Sequence, residues 1–263
     1  MKKIFSLVLI AIFFQSCNQT TQNQTDTTTV DSIIPSDTTN IHADTIASPE
    51  STEEYDAKIV SNHLLIPNAA YRILEANEIE VILEKGEWLE LFKDKDGYHI
   101  GELSYSILHE DEEPCSGLPT QAVQSKNNAF MFSNLPHLHK GKVDTIAISN
   151  ALISPSKPLE FVSNNKNYKL VASGLDFSLE HLTHENKRVY KIALYENDKF
   201  VRYLIKQYQY NDTHTELIFI GDLDKDGRPD FIFSSPRDYE EDRYLLILSS
   251  DEKIYEGIYT FDC

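Results

Sequence analysis

From residue 57 onward the chain alternates short apolar runs with turn residues. Runs at 71–74, 79–83, 88–92 and 98–108 follow one another closely, with Gly86 and Asp94-Lys95-Asp96-Gly97 where hairpins would turn. Further runs at 130–132, 143–148, 158–162 and 168–171 continue the texture, the last two separated by Asn164-Asn165. Asn197-Asp198 divides 189–195 from 200–205, another hairpin signal. Tyr (14) and Phe (13) are abundant and sit mostly in these runs, as strands favour. Helix signals are weak, and only segments such as 104–110 could hold a turn or two. The pattern predicts a mainly β domain of antiparallel hairpins over 57–263, sandwich or barrel-like. The acidic, turn-rich stretch 110–128 marks where it could divide into two lobes. The early hairpins around Tyr71, Trp88 and Gly97 resemble small bacterial SH3-like barrels, which bind cell-wall peptides. That likeness rests on spacing and one Trp, and a hairpin with a core Trp explains the same residues.

The N-terminal segment reads differently. Lys2 and Lys3 precede eleven almost purely apolar residues, 4–14. Such a stretch is shorter than the roughly 20 residues that span a bilayer and matches a signal-peptide h-region. It runs into Phe14-Gln15-Ser16-Cys17. A small residue directly before Cys at this place resembles the lipobox of bacterial lipoproteins, although Phe14 and Gln15 depart from the usual residues. The resemblance implies a signal peptide over 1–16 and an acylated Cys17 as the mature N-terminus, with the lipid bilayer as partner. It also implies an outer-membrane or periplasmic-face lipoprotein of a Gram-negative bacterium, with surface exposure an option.

Residues 17–56 are rich in Thr, Ser, Asn, Gln and Asp and contain no Lys or Arg. So little apolar surface cannot offset the entropy of ordering, which predicts a disordered tether. Its root-mean-square reach would be roughly 35 Å. Four triplets beginning Asp26, Asp31, Asp37 and Asp44 resemble the acceptor sequence of a bacterial O-glycosylation system, which would place glycans on Thr27, Ser32, Thr38 and Thr45.

Charge narrows the function classes. The chain carries 42 acidic residues against 24 Lys plus Arg, a formal net of −18. That excludes a nucleic-acid binder, which needs a basic footprint, and electrostatic attachment to anionic lipid. A protein or glycan partner stays open.

The sharpest chemistry lies in Gly221-Asp222-Leu223-Asp224-Lys225-Asp226-Gly227-Arg228-Pro229-Asp230, between two apolar runs. Ca²⁺ takes six to eight oxygens, and a loop coiled around it turns alternate side chains inward. Gly227 permits the sharp turn that a Cβ would hinder. An EF-hand would require Glu at position twelve, where Phe233 stands, and helices on both flanks. Strand, Asp-x-Asp-x-Asp-Gly-x-x-Asp, strand resembles the calcium loops of FG-GAP and VCBS-type repeats. By that resemblance the ligands would be Asp222, Asp224, Asp226, the backbone carbonyl of Arg228, and Asp230. Four carboxylates in one loop repel strongly without a cation, and Mg²⁺ prefers fewer carboxylates with retained waters. No second full copy exists, so a many-bladed propeller is excluded; Asp94 and Asp96 supply only two candidate ligands and read as a plain turn. The segment from this loop through residues 244–250 to Cys263 is similar to a family of uncharacterised bacterial secreted proteins and lipoproteins. They share Gly-Asp-Leu-Asp-x-Asp-Gly, an apolar strand ending in Ser-Ser, and a C-terminal Cys; the family brings no activity with it.

Cys115 and Cys263 remain once Cys17 is assigned, and in an exported chain they are expected to form a disulfide. His137-x-His139 and His181-x-x-His184-Glu185 lack the spacing of a zinc site. There is no GxSxG elbow, P-loop or GxGxxG. The expected function is therefore a lipid-anchored, calcium-binding envelope protein with a structural or binding role. An envelope hydrolase with catalytic carboxylates among the many acids, and an inhibitor or immunity-type protein, are the alternatives.

Overall fold

Two runs, Phe231-Ile232-Phe233 and Leu245-Leu246-Ile247-Leu248, are apolar at every position. A strand with one wet face would alternate, so a continuous run implies burial on both faces. The computed structural model, which describes residues 58–74, 76–114, 116–174, 188–209 and 213–261, shows this arrangement. Phe231, Phe233, Leu245 and Ile247 enter one core cluster, while Ile232, Leu246 and Leu248 enter another on the opposite face.

All of them except Leu248, which follows its strand directly, belong to the central, six-stranded sheet. Its spatial order is Ile59–Val60, Ile254–Thr260, Glu241–Ile247, Asp230–Ser234, Glu216–Asp222 and Asp144–Thr145. The first of these pairs in parallel with Ile254–Thr260, whereas the other neighbours are antiparallel. One face packs on the four-stranded sheet Leu159–Ser163, Lys166–Gly174, Arg188–Glu196 and Lys199–Gln209 through Tyr168, Leu170, Tyr190, Ile192 and Leu204. The other face meets a five-stranded sheet containing Leu89–Asp94, Gly97–Glu102 and Met131–Ser133, through Leu91, Ile100 and Met131. The five-stranded sheet is itself buried on its far side, where Leu65 and Phe132 join Trp88, Val123 and Ile79 in a third cluster. That cluster is closed by the sheet of Tyr71–Arg72, Thr120–Ser125 and Tyr105–Glu110 and by the short helix Glu78–Leu83. Burying each large core side chain contributes roughly 1.5–3 kcal/mol.

The mainly β expectation holds, with several antiparallel sheets and, among the described residues, no closed barrel. The described residues belong to one compact unit, and those of the stretch 110–128 lie inside it. Two local expectations are corrected. The run at 79–83, read as a strand, is helical: Ile79, Ile82 and Leu83 share one face, and Glu78 and Glu80 complement the positive helix start. Gln121 Oε1 accepts the Ile79 N–H at 3.0 Å, so the opposite strand satisfies an otherwise orphaned donor. Residues 104–110, which could have held a turn or two of helix, contain instead the strand Tyr105–Glu110, paired with Thr120–Ser125. Trp88 is a core residue as expected, and its indole N–H donates to the Ile82 carbonyl at 3.2 Å.

Candidate metal centre

The aspartate loop joins Glu216–Asp222 to Asp230–Ser234, with Gly221 opposite Asp230 in the ladder. A register shift between Leu217 and Phe219 reorients the first strand, so Leu217 faces one core and Phe219 the other. A Cβ at Gly221 would sit 2.6 Å from the Phe219 ring and 2.8 Å from the Asp144 carbonyl, so only glycine allows this approach. Leu223 is fully buried and anchors the loop from below. Lys225 and Gly227 take positive φ of 59° and 84°, which coils the chain between them.

Asp222, Asp224 and Asp226 each bring a carboxylate oxygen within 4.8 Å of the others. Each is braced by the loop's own backbone. Asp222 Oδ2 accepts the Gly227 N–H at 3.1 Å, Asp224 Oδ1 the Asp226 N–H at 3.2 Å, and Asp226 Oδ1 the Arg228 N–H at 2.8 Å. The turn after Glu241–Ile247 holds two outer oxygens: Ser249 Oγ donates to Asp226 Oδ2 at 2.7 Å, and Ser250 Oγ to Asp224 Oδ2. One oxygen is left over. Asp222 Oδ1 is buried and has no hydrogen-bond partner. Burial pushes the Asp222 carboxyl above its ordinary range, and the neighbouring charges of Asp226 and Asp224 add to this.

Asp230 is placed differently from the other three. It is fully buried, with Oδ2 accepting the N–H groups of Leu223 (2.7 Å) and Asp224 (3.3 Å) and Oδ1 that of Ser249 (2.7 Å). Burial pushes it up to about 8, the Asp224 charge adds, and the three N–H groups pull the other way. It thus ties the loop to the Ser249 turn. Arg228 contributes its N–H to the Asp226 brace, and its side chain is exposed.

The loop's cations turn elsewhere, since Lys225 Nζ donates to the Lys140 carbonyl at 3.1 Å. Among the described residues no other place brings three such ligand atoms together. The oxygen-only donor set and the orphaned buried oxygen of Asp222 fit a hard divalent cation. His137 and His139 are exposed, outside any such group. Ser249 and Ser250 were visible in the sequence only as the end of an apolar strand; their bracing role depends on contacts 23 and 26 residues away.

Cys17, Thr27, Ser32, Thr38, Thr45, Cys115, His181, His184 and Cys263 lie outside the described residues, as do the whole segments 1–16 and 17–56. Among the described residues no helix is long and apolar enough to cross a membrane. Compared with known proteins, the chain matches no protein-family model, no curated protein and no solved structure.

Proposed function

We propose that this chain is a lipid-anchored, calcium-binding protein of a bacterial envelope, with a structural or binding role. The observation that carries the calcium reading is the Asp222 Oδ1 atom, buried without a partner beside two further carboxylates within 4.8 Å. A buried, unpaired acceptor costs about 1–3 kcal/mol, and more when charged, and a cation removes that cost. Asp222, Asp224 and Asp226 would hold the ion with the Arg228 carbonyl, and Asp230 completes the set expected from the loop's resemblance. Bound Ca²⁺ would supply charge neutralisation and would pin one hairpin of the central sheet. The anchor reading rests on Cys17 directly after the apolar segment 4–14.

Calorimetric titration and thermal melting test the ion site. An unfolded chain has no preformed site, so binding adds to stability. At Ca²⁺ one hundred times the dissociation constant the gain is about 2.7 kcal/mol. For a domain of about 200 residues this raises the melting temperature by roughly 5–10 °C. Asp224→Ala should abolish the response to chelator. A melting curve identical in excess EGTA and millimolar Ca²⁺, with no binding heat, overturns the proposal. For the anchor, Cys17→Ala should abolish incorporation of labelled palmitate; undiminished incorporation would reject it.

A further inference from the structure

Beside the aspartate loop, between the four-stranded and central sheets, lies a cleft of about 330 Å³. That volume suffices for a small ligand. Leu194, Val201, Pro229 and Phe231 make its walls largely apolar. Two guanidinium groups also line it. Arg202 is half-buried and fixed: Nη1 donates to the Asp251 carbonyl and Nη2 to the Leu248 carbonyl, both at 2.7 Å. Arg228 is exposed, and its guanidinium charge acts on Glu196 and Tyr168 in the same lining without a close ion pair to either.

Three carboxylates share the lining, but two are committed. Glu196 is taken by Lys166 at 2.9 Å and by the Tyr168 hydroxyl at 3.1 Å. Asp251 accepts the Tyr255 hydroxyl at 2.6 Å and the Lys253 N–H at 3.0 Å. Glu252 is exposed. The lining carries two guanidinium groups against three carboxylates, so what it offers an anion is not an excess of positive charge but the open N–H groups of Arg228 above apolar walls. Its planar fork matches a carboxylate in two parallel hydrogen bonds. The apolar walls favour an aliphatic body over a fully hydrated anion such as free phosphate.

We propose that this cleft binds a small organic carboxylate with an aliphatic body, of the kind presented by the last residue of a peptide. The carboxylate meets Arg228, with Arg202 as the fixed cation behind it, and the aliphatic part lies against Leu194, Val201 and Pro229.

The test uses the full chain in millimolar Ca²⁺ and titrates N-acetyl-leucine, N-acetyl-leucinamide and inorganic phosphate by calorimetry and amide chemical shifts. N-acetyl-leucine should bind, and the amide, which lacks only the charge, should bind at least about tenfold more weakly. Arg228→Gln, which keeps the backbone carbonyl and N–H at this position, should weaken the acid by a similar factor. Val201→Glu, a second exposed-site variant, should abolish binding by placing a carboxylate in the cleft. The proposal is overturned if acid and amide bind alike, if phosphate binds as tightly as the acid, or if millimolar acid produces no heat and no shifts.

Discussion

The tetrapeptide Asp-Lys-Asp-Gly occurs twice, at 94–97 and at 224–227, and folds into two different things. At 94–97 it is the tight turn between Leu89–Asp94 and Gly97–Glu102, with Asp94 opposite Gly97 and residues 94–96 exposed. At 224–227 it is half of a coiled loop in which Asp224 is only 8% exposed and Lys225 takes a left-handed φ. One local device is common to both. Asp94 Oδ1 accepts the N–H of Asp96 at 2.7 Å, as Asp224 Oδ1 accepts that of Asp226 at 3.2 Å. The difference comes from the flanks. Buried Leu223 pulls the second copy against the core, and Asp230 beneath it collects three backbone N–H groups. Four residues encode a turn; their neighbours decide whether it stays in solvent or becomes a carboxylate cage.

Removing the flank should break the contrast most. Asp230→Ala strands three buried N–H donors, at a cost of about 3–5 kcal/mol and roughly 10 °C in melting temperature. A loss no larger than that of an ordinary surface substitution would show that Asp230 does not hold the loop.

The same carboxyl gives the aspartate loop a pH signature. Burial raises Asp230 to about 8 in the folded state, against about 3.9 in an unfolded chain. Between those values the folded state holds the proton more tightly, so in EGTA this group makes stability fall as pH rises from about 4 to about 8. Urea midpoints at pH 5 and pH 8 should therefore differ less in Asp230→Asn than in the wild type. Parallel midpoints in the two proteins would rule the coupling out.

Smaller effects sharpen the comparison. Ser250→Ala removes a hydroxyl from Asp224 and should cost about 1–2 kcal/mol, with weaker Ca²⁺ binding in the same calorimeter. Ser249→Ala should cost less, because Asp226 is exposed. Asp94→Ala, in the other copy, should shift stability by only about 0.5 kcal/mol and leave the chelator response intact. A change in calcium affinity there would mean that the two copies are coupled.

These contrasts also explain what the sequence could disclose. The aspartate spacing is local, so the triad was legible, as were the mainly β texture and the hairpins at Asn164-Asn165 and Asn197-Asp198. Ser249 and Ser250 were not, because their part depends on a turn brought in from a different hairpin. Six residues, 78–83, are too few to separate a period of 3.6 from one of 2, so the helix read as a strand. In Tyr105–Glu110 five of six residues are exposed, leaving no alternation to read. The run 245–248 announced burial on both faces, but only the three-dimensional pairing says which sheets provide it.

The parallel pairing of Ile59–Val60 with Ile254–Tyr255 has a mechanical side. The described fold begins at this strand, at one edge of the central sheet. Tension applied from the N-terminal side of the strand is delivered first to a two-residue ladder, helped by the Ile254 N–H donating to the Lys58 carbonyl at 3.2 Å. Asp230 lies three strands inward, beyond Ile254–Thr260 and Glu241–Ile247. A pull on the chain from that side would therefore meet this short ladder before it reached the strands that hold the aspartate loop.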